Sequence, residues 1–276
     1  MRYFIRTMFW STFSIFCVFT VTAKSLPEPY NDYPVLIATS VGTGSGFFLN
    51  SSNAVFLVTA KHVLFKNIDG HETLLSPRAM CVGYCEGTNQ LVLSLQLDSL
   101  MASNDVRFSS NRDIALVKIE YIGADGKTSS RIDYINQLSK HRKIRTHQLA
   151  LTKRFQDIDI GDDIYMCGYP LSIPYLSFHD LGNAFPVIKR GIIAGKKFDN
   201  FKLVLDCACF PGNSGGPVLL RQEEWPEVHF YIIGVVTDML IAPTWNVTND
   251  AINTNVTVNS GYTAVEPIDT VTGMLW

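Results

Sequence analysis

The sequence predicts an all-β chain made of two similar sheets, and three observations carry that prediction. Short runs rich in Val, Ile, Leu and Phe recur along the chain, punctuated by glycine or Asn/Asp, which is the pattern of strands closing into a barrel. A second series of such runs, beginning near residue 160, mirrors the first. Between them, residues 121–159 break the rhythm with polar and basic side chains. The chain has 276 residues, 47% of them hydrophobic and 12% aromatic, enough for one large core or two small ones. Only 17% are charged and the net charge is −2, so nothing pulls the chain towards nucleic acid.

Taken in order, residues 1–23 read as a secretory signal. Arg2 and Arg6 supply its positive start, Met8 to Val21 an apolar core too short for a membrane span, and Val21-Thr22-Ala23 a small-residue cleavage site. After its removal no stable membrane association is expected, and the location is secreted or periplasmic. Residues 24–34 form an extended, proline-spaced lead-in.

The first barrel is assigned to residues 35–122. Its expected strands are Val35–Ala38, Gly46–Leu49, Val55–Val58, Leu91–Leu95 and Ile114–Ile119. Gly42 to Gly46 is expected as a flexible hairpin, since its spacing misses the dinucleotide fingerprint and no Gly-Lys-Ser/Thr follows. Residues 123–157 form a linker in which Ile132 to Ile144 is expected as one amphipathic helix. Lys140, Arg142, Lys143 and Arg145, with His141 and His147, make it basic and solvated. The second barrel spans residues 158–276, with strands expected at Asp163–Cys167, Val187–Ala194, Phe201–Leu205, Val218–Leu220, His229–Val236 and Tyr262–Val265.

The chemistry centres on Phe210-Pro211-Gly212-Asn213-Ser214-Gly215-Gly216-Pro217. A serine between glycines suits a nucleophile on a tight backbone. The N–H groups of Gly212 and Ser214 can point into one pocket, where they would hold a developing oxyanion. A serine needs a base, and His62 follows the apolar run Phe56 to Ala60. The imidazole in turn needs an acid to fix its tautomer; Asp113, at the mouth of a second apolar run, fits.

Together, Thr59-Ala60-Lys61-His62-Val63, Asp113-Ile114-Ala115-Leu116 and Gly212-Asn213-Ser214-Gly215-Gly216-Pro217 resemble the three active-site motifs of trypsin-like serine proteases. The resemblance is closest to the high-temperature-requirement (Deg-type) branch. Gly42 to Phe48, Ile160 to Pro170 and Gly261 to Val265 resemble three more of its stretches, so the likeness runs from about Val35 to Val265. It implies two six-stranded β-barrels with the site in the crevice between them. It also implies a serine endopeptidase with a polypeptide substrate and no cofactor. His62 would be the base, Asp113 the orienting acid and Ser214 the nucleophile that forms an acyl-enzyme.

Thr237 falls where the family has a hydroxyl bonded to the triad carboxylate. Asp238 and Met239 would pair with an extended peptide. Ala208 falls at the floor of the primary specificity pocket, where a small apolar residue implies uncharged side chains before the cut. Asn213 stands where the digestive branch has the aspartate that pairs with a new amino terminus, so that mode of activation is not expected. The short tail after Val265 leaves no room for the PDZ-type module of typical Deg enzymes. A trypsin-fold binding protein without catalysis is the alternative.

An esterase elbow, G-x-S-x-G, also matches at Ser214, but Gly-Gly-Pro follows where that elbow needs a helix, and its acid and histidine are missing downstream. Cys81, Cys85, Cys167, Cys207 and Cys209 remain after the leader. None stands at the nucleophile position. Cys81 and Cys85 could close a small loop in an oxidising compartment, whereas Cys207-x-Cys209 lacks the partner pair a metal site needs. Asn50, Asn246 and Asn255 head glycosylation sequons.

Overall fold

The computed structural model describes residues 26–27, 30–86, 90–123, 126–134, 143–171, 184–242 and 258–276. The leader 1–23, Lys140, His141, Arg142, Asn246 and Asn255 lie outside the described residues.

The first half contains β1 (Pro34–Ala38), β2 (Thr43–Asn50), β3 (Ala54–Thr59), the single turn α1 (Lys61–Leu64), β4 (Phe65–Ile68), β5 (His71–Leu74), β6 (Arg78–Tyr84), β7 (Gln90–Gln96), α2 (Leu97–Ala102), β8 (Val106–Phe108), β9 (Ala115–Ile122), β10 (Thr128–Ser130), β11 (Asp133–Tyr134) and β12 (His147–Gln148). The second contains β13 (Asp163–Gly168), β14 (Val187–Lys197), β15 (Lys202–Asp206), β16 (Pro217–Glu224), β17 (Glu227–Ala242), β18 (Val258–Pro267) and the short α3 (Ile268–Thr272).

The second six strands close into a barrel in the order β13-β14-β15-β18-β17-β16. The first sheet runs β10-β9-β3-β2-β1-β6-β7-β11, with β8 beside β9 and β12 beside β2. Its six central strands curl without a hydrogen-bonded seam between β7 and β9 among the described residues. Helix α2 fills that gap, since Leu97 and Leu100 bury into the same cluster as Leu93, Leu95, Val106 and Val117.

Three apolar clusters explain why many strands read as unbroken apolar runs. Leu57, Val117 and Phe48 point into the first sheet, with Ile37, Leu91 and Leu93. Their chain neighbours Phe56, Val58, Leu116 and Phe47 point the other way, onto Tyr165, Leu219, Phe230, Ile232 and Val235 of the second barrel. Ile164, Met166, Ile193, Leu205, Val218 and Ile233 fill the second barrel. Strands β2, β3, β9, β13 and β17 are therefore apolar on both faces, one for a barrel and one for the interface. Each such side chain contributes about 1.5–3 kcal/mol when fully buried. Strand β7, with one polar face, alternates instead.

Four expectations need correction. Residues Gly42 to Gly46 are not a flexible hairpin: the turn lies at Thr39–Gly42, and from Thr43 the chain is strand β2. Gly44 and Gly46 are needed there for close approach, since a Cβ would meet Val63 at 2.6 Å or the Val58 carbonyl at 2.8 Å. The expected helix over 132–144 begins as strand instead, because Asp133 and Tyr134 pair with β7 and Ile132 buries in the first core; its middle lies outside the described residues. Strand β6 was hidden by Gly83 and Cys81, yet it sits between β1 and β7. Cys81 and Cys85 are both buried, and no disulfide joins them. Four residues of extended chain span roughly 13 Å, far beyond a disulfide's reach.

Candidate active site

The register of the first sheet brings two predicted residues together. Thr59, the end of β3, is opposite Ala115, the start of β9. His62, three residues past the one, thus meets Asp113, two before the other. The His62 backbone N–H donates to Asp113 Oδ1 at 3.0 Å, and its ring Nδ1 lies 2.7 Å from Oδ2. Val63 and Leu64, buried on the other side of α1, hold that turn in place.

Ser214 sits in a loop folded by its own backbone. Asn213 N–H donates to Phe210 O and Gly216 N–H to Asn213 O, while Gly215 N–H reaches Val236 O on β17 at 2.7 Å. Gly212 and Gly215 have φ of 95° and 89°, the left-handed region that glycine tolerates. Any Cβ on Gly215 would come within 2.0 Å of Ser45 O. Asn213, 2% exposed, turns its Oδ1 back to the Phe210 N–H at 2.9 Å, so the residue stabilises its own loop.

The first barrel clamps this loop through Ser45, a fully buried residue that the sequence reading missed inside its glycine-rich setting. Ser45 Oγ donates to Gly212 O at 2.7 Å and accepts from Tyr169 N–H at 2.8 Å. Its own N–H donates to Ser214 O at 2.8 Å. Thr59 Oγ1 secures Ser45 from behind, donating to its carbonyl at 2.7 Å. With the carbonyls of Gly212 and Ser214 drawn towards Ser45, their N–H groups have no acceptor among the described residues.

His62, Gly212 and Ser214 line one cavity of about 440 Å³ with Thr43, Val63, Leu75 and Leu171. Ser214 Oγ donates to Thr237 O at 3.3 Å, and no hydrogen bond joins it to His62. The Asp113 hydrogen bond raises the His62 pKa above its ordinary value, burial opposes that, and the charges of Asp113 and Asp238 add to it. Burial would raise the Asp113 pKa, but the hydrogen bond and charge of His62, its backbone N–H and Lys202 together hold it below the usual carboxylate range.

A family model described as a trypsin-like peptidase domain matches residues 44–225. The chain belongs to the trypsin-like peptidase family. It is by that membership a serine-type endopeptidase. Among solved structures, the crystal structure of Deg5 is similar in fold, with 17% identity and a TM-score of 0.50 over 88% of this chain and 87% of that one. The HtrA-type protease AlgW with tripeptide matches at 13% identity and a TM-score of 0.48 over 88% of this chain and 58% of that one. The Rv3671c protease in its inactive form matches at 15% identity and a TM-score of 0.45 over 89% and 88%. No curated protein matches the sequence.

The remaining predicted residues of this trypsin-like peptidase lie around β17. Thr237 is 1% exposed, and its hydroxyl donates to Ala264 O at 3.2 Å and accepts from Lys202 Nζ at 3.3 Å. It is thus not bonded to Asp113, because the strand turns this side chain to β18. Asp238 and Met239 pair with Ala264 and Thr263 of β18. Pairing of β17 to β16 ends at Val235, so among the described residues no strand pairs with the other edge of Thr237 to Met239. Ala208 is half-buried, and its carbonyl accepts from Lys189 Nζ, which also lies 4.1 Å over the Phe210 ring. Among the described residues no three His, Cys, Asp or Glu side chains converge to hold a metal.

Proposed function

We propose that this protein cuts peptide bonds through Ser214, His62 and Asp113, with an acyl-enzyme on Ser214 and no cofactor. The observation that carries the reading is the doubly bonded His62–Asp113 pair in the same cavity as Ser214 and the unpaired Gly212 and Ser214 N–H groups. Asp113 holds the tautomer with the proton on Nδ1, leaving Nε2 to accept the serine proton. A substrate strand adds along the open edge of Thr237 to Met239. Its N–H takes the Thr237 carbonyl, and Ser214 Oγ turns from that carbonyl to His62. Oγ then attacks the scissile carbonyl while the N–H groups of Gly212 and Ser214 hold the oxyanion. His62 returns the proton to the leaving amine, and water releases the acyl group by the same route.

Ala208 offers no carboxylate to a Lys or Arg side chain, and the Lys189 ammonium beside it already has the Ala208 carbonyl and the Phe210 ring. The residue before the cut is therefore uncharged. The leader at 1–23 makes the protein secreted or periplasmic. The long Ser214–Thr237 bond favours one rival, a trypsin-fold binding protein with a resting serine. Labelling with a fluorophosphonate probe separates the two. Wild type labels and Ser214→Ala does not if the triad works; equal absence of label in both means the silent form.

A further inference from the structure

The cavity shared by His62, Gly212 and Ser214 measures about 440 Å³, within the range of small-ligand pockets, and the mechanism above uses only part of it. The rest of its wall is largely apolar, formed by Val41, Val63, Leu75, Leu171 and Pro211. Among the described residues that line it, only His62 has a titratable side chain. Ala208, Thr237, Asp238 and Met239, assigned above to the chain before the cut, do not border it. The cavity and the edge of β17 thus lie on two sides of Ser214.

The wall brings together apolar side chains from both halves of the chain. Val41, 63% exposed, stands in the turn between β1 and β2. Thr39 closes that turn: its N–H and its hydroxyl donate to Gly42 O at 2.9 and 3.0 Å, and the Val41 N–H reaches Thr39 Oγ1 at 3.4 Å. Leu171, 48% exposed, follows β13, and its N–H donates to Pro211 O at 2.8 Å. Val63 comes from α1, and Leu75 is tied to α1 by its N–H on Leu64 O at 2.8 Å. Single exposed apolar residues are ordinary on a surface. Here two of them border the same cavity as the nucleophile, and that continuity names what covers them: the substrate chain beyond the scissile bond.

We propose that this cavity receives the first residue after the cut, and that Val41 and Leu171 select an uncharged, apolar side chain there. The proposal rests on the triad reading above. An apolar side chain entering the cavity takes its own surface and that of Val41 and Leu171 out of water. A Lys, Arg, Asp or Glu side chain gives up water and meets no opposite charge on the wall. His62 is neutral when it acts as base, and once protonated it is already paired with Asp113. One methylene in an apolar pocket changes selection by roughly 10–200-fold. Because both rim residues stay half in water, the low end of that range applies. With Ala208 on the other side of Ser214, the preferred bond joins two uncharged residues.

The test is capture of the acyl-enzyme by amines that mimic the residue after the cut. The full-length protein is acylated on Ser214 with the p-nitrophenyl ester of N-acetylalanine, with Ser214→Ala as the blank. Leucinamide, lysinamide and aspartic acid α-amide then compete with water. In each capture the ester bond to Ser214 breaks, an amide bond to the amine forms, and His62 passes the amine proton to Oγ. Chromatography gives the ratio of amide to acid. Leucinamide is expected to be captured roughly 10-fold better than either charged amine. Val41→Glu turns the preference towards lysinamide and Leu171→Lys towards the aspartic amide, whereas a merely structural change would slow all three captures alike. Circular dichroism gives the folded fraction of each variant, and if Leu171→Lys does not fold, Val41→Glu decides. Equal capture of the three amines by the wild type, capture of none, or an unmoved ratio in folded Val41→Glu overturns the proposal. Fluorophosphonate labelling separates the two failures. Wild type that labels no faster than Ser214→Ala overturns the triad reading and this proposal with it; wild type that labels but does not discriminate overturns this proposal alone.

Discussion

At the scale of single residues, the His62–Asp113 contact sets both the geometry and the pH response of the site. In the proposed triad His62 acts as general base, which it can do only when neutral. A raised His62 pKa, with Asp113 as its main cause, means that activity falls in acid through a midpoint above the free imidazole value of ~6.5. Asp113→Asn removes the charge and loosens the tautomer. Its labelling rate is expected to fall by about 10³–10⁴-fold, and the acidic limb moves to lower pH because the imidazolium loses its partner. A pH series of labelling rates reads both effects; a limb that stays in place would mean that Asp113 does not face the working imidazole. The buried thiols of Cys81 and Cys167 give no such handle, since burial pushes both up to about 12.

At the scale of elements, the loop from Phe210 to Pro217 is held by contacts that its sequence shows only as glycines. Gly215 is in the left-handed region with the Ser45 carbonyl and the Thr59 hydroxyl where a methyl would go. Gly215→Ala is therefore expected to destabilise the protein by roughly 2–5 kcal/mol, combining backbone strain with overpacking against a backbone that cannot move aside. Urea unfolding measures it, and a loss under about 0.5 kcal/mol, the range of an indifferent surface change, would contradict the close packing described. The β3–β9 ladder acts in the same way on the base and acid: a register slip of one residue would turn the core face outward and separate His62 from Asp113.

At the scale of the whole molecule, the lead-in and the linker are fastened to the first sheet around one buried histidine. His147, on β12, is 2% exposed, stacked on Tyr33 at 3.7 Å and edge-on to Phe47 at 5.9 Å, with Nε2 unbonded. Burial lowers its pKa to about 3. Between that value and the unfolded value of ~6.5 the unfolded chain binds the extra proton, so stability falls as pH falls through this window. The loss is on the order of 2–4 kcal/mol. His147→Phe, which keeps the ring and removes the proton site, is expected to flatten stability between pH 6.5 and 3.5 in denaturant titrations. An equally steep loss in the variant would place the acid sensitivity elsewhere, in groups such as Asp113 whose folded pKa is depressed.

The sequence alone determined the fold class, the family and the order His62, Asp113, Ser214, because apolar runs, glycine punctuation and nucleophile chemistry are local properties. Most strands were legible for the same reason, and β6 was not, since Cys81 and Gly83 weaken its local signal. The Ile132–Ile144 stretch misled because its spacing suits a helix, while the burial of Ile132 and the pairing of Asp133–Tyr134 with β7 are decided by tertiary contacts. Tertiary structure alone also decided that Thr237 serves Ala264 and Lys202 rather than Asp113, and that Ser45 clamps the serine loop across 167 residues of chain. The physical reason is the same in each case: a hydrogen bond or a buried ion pair between distant segments depends on which faces two barrels press together, and no local pattern encodes that.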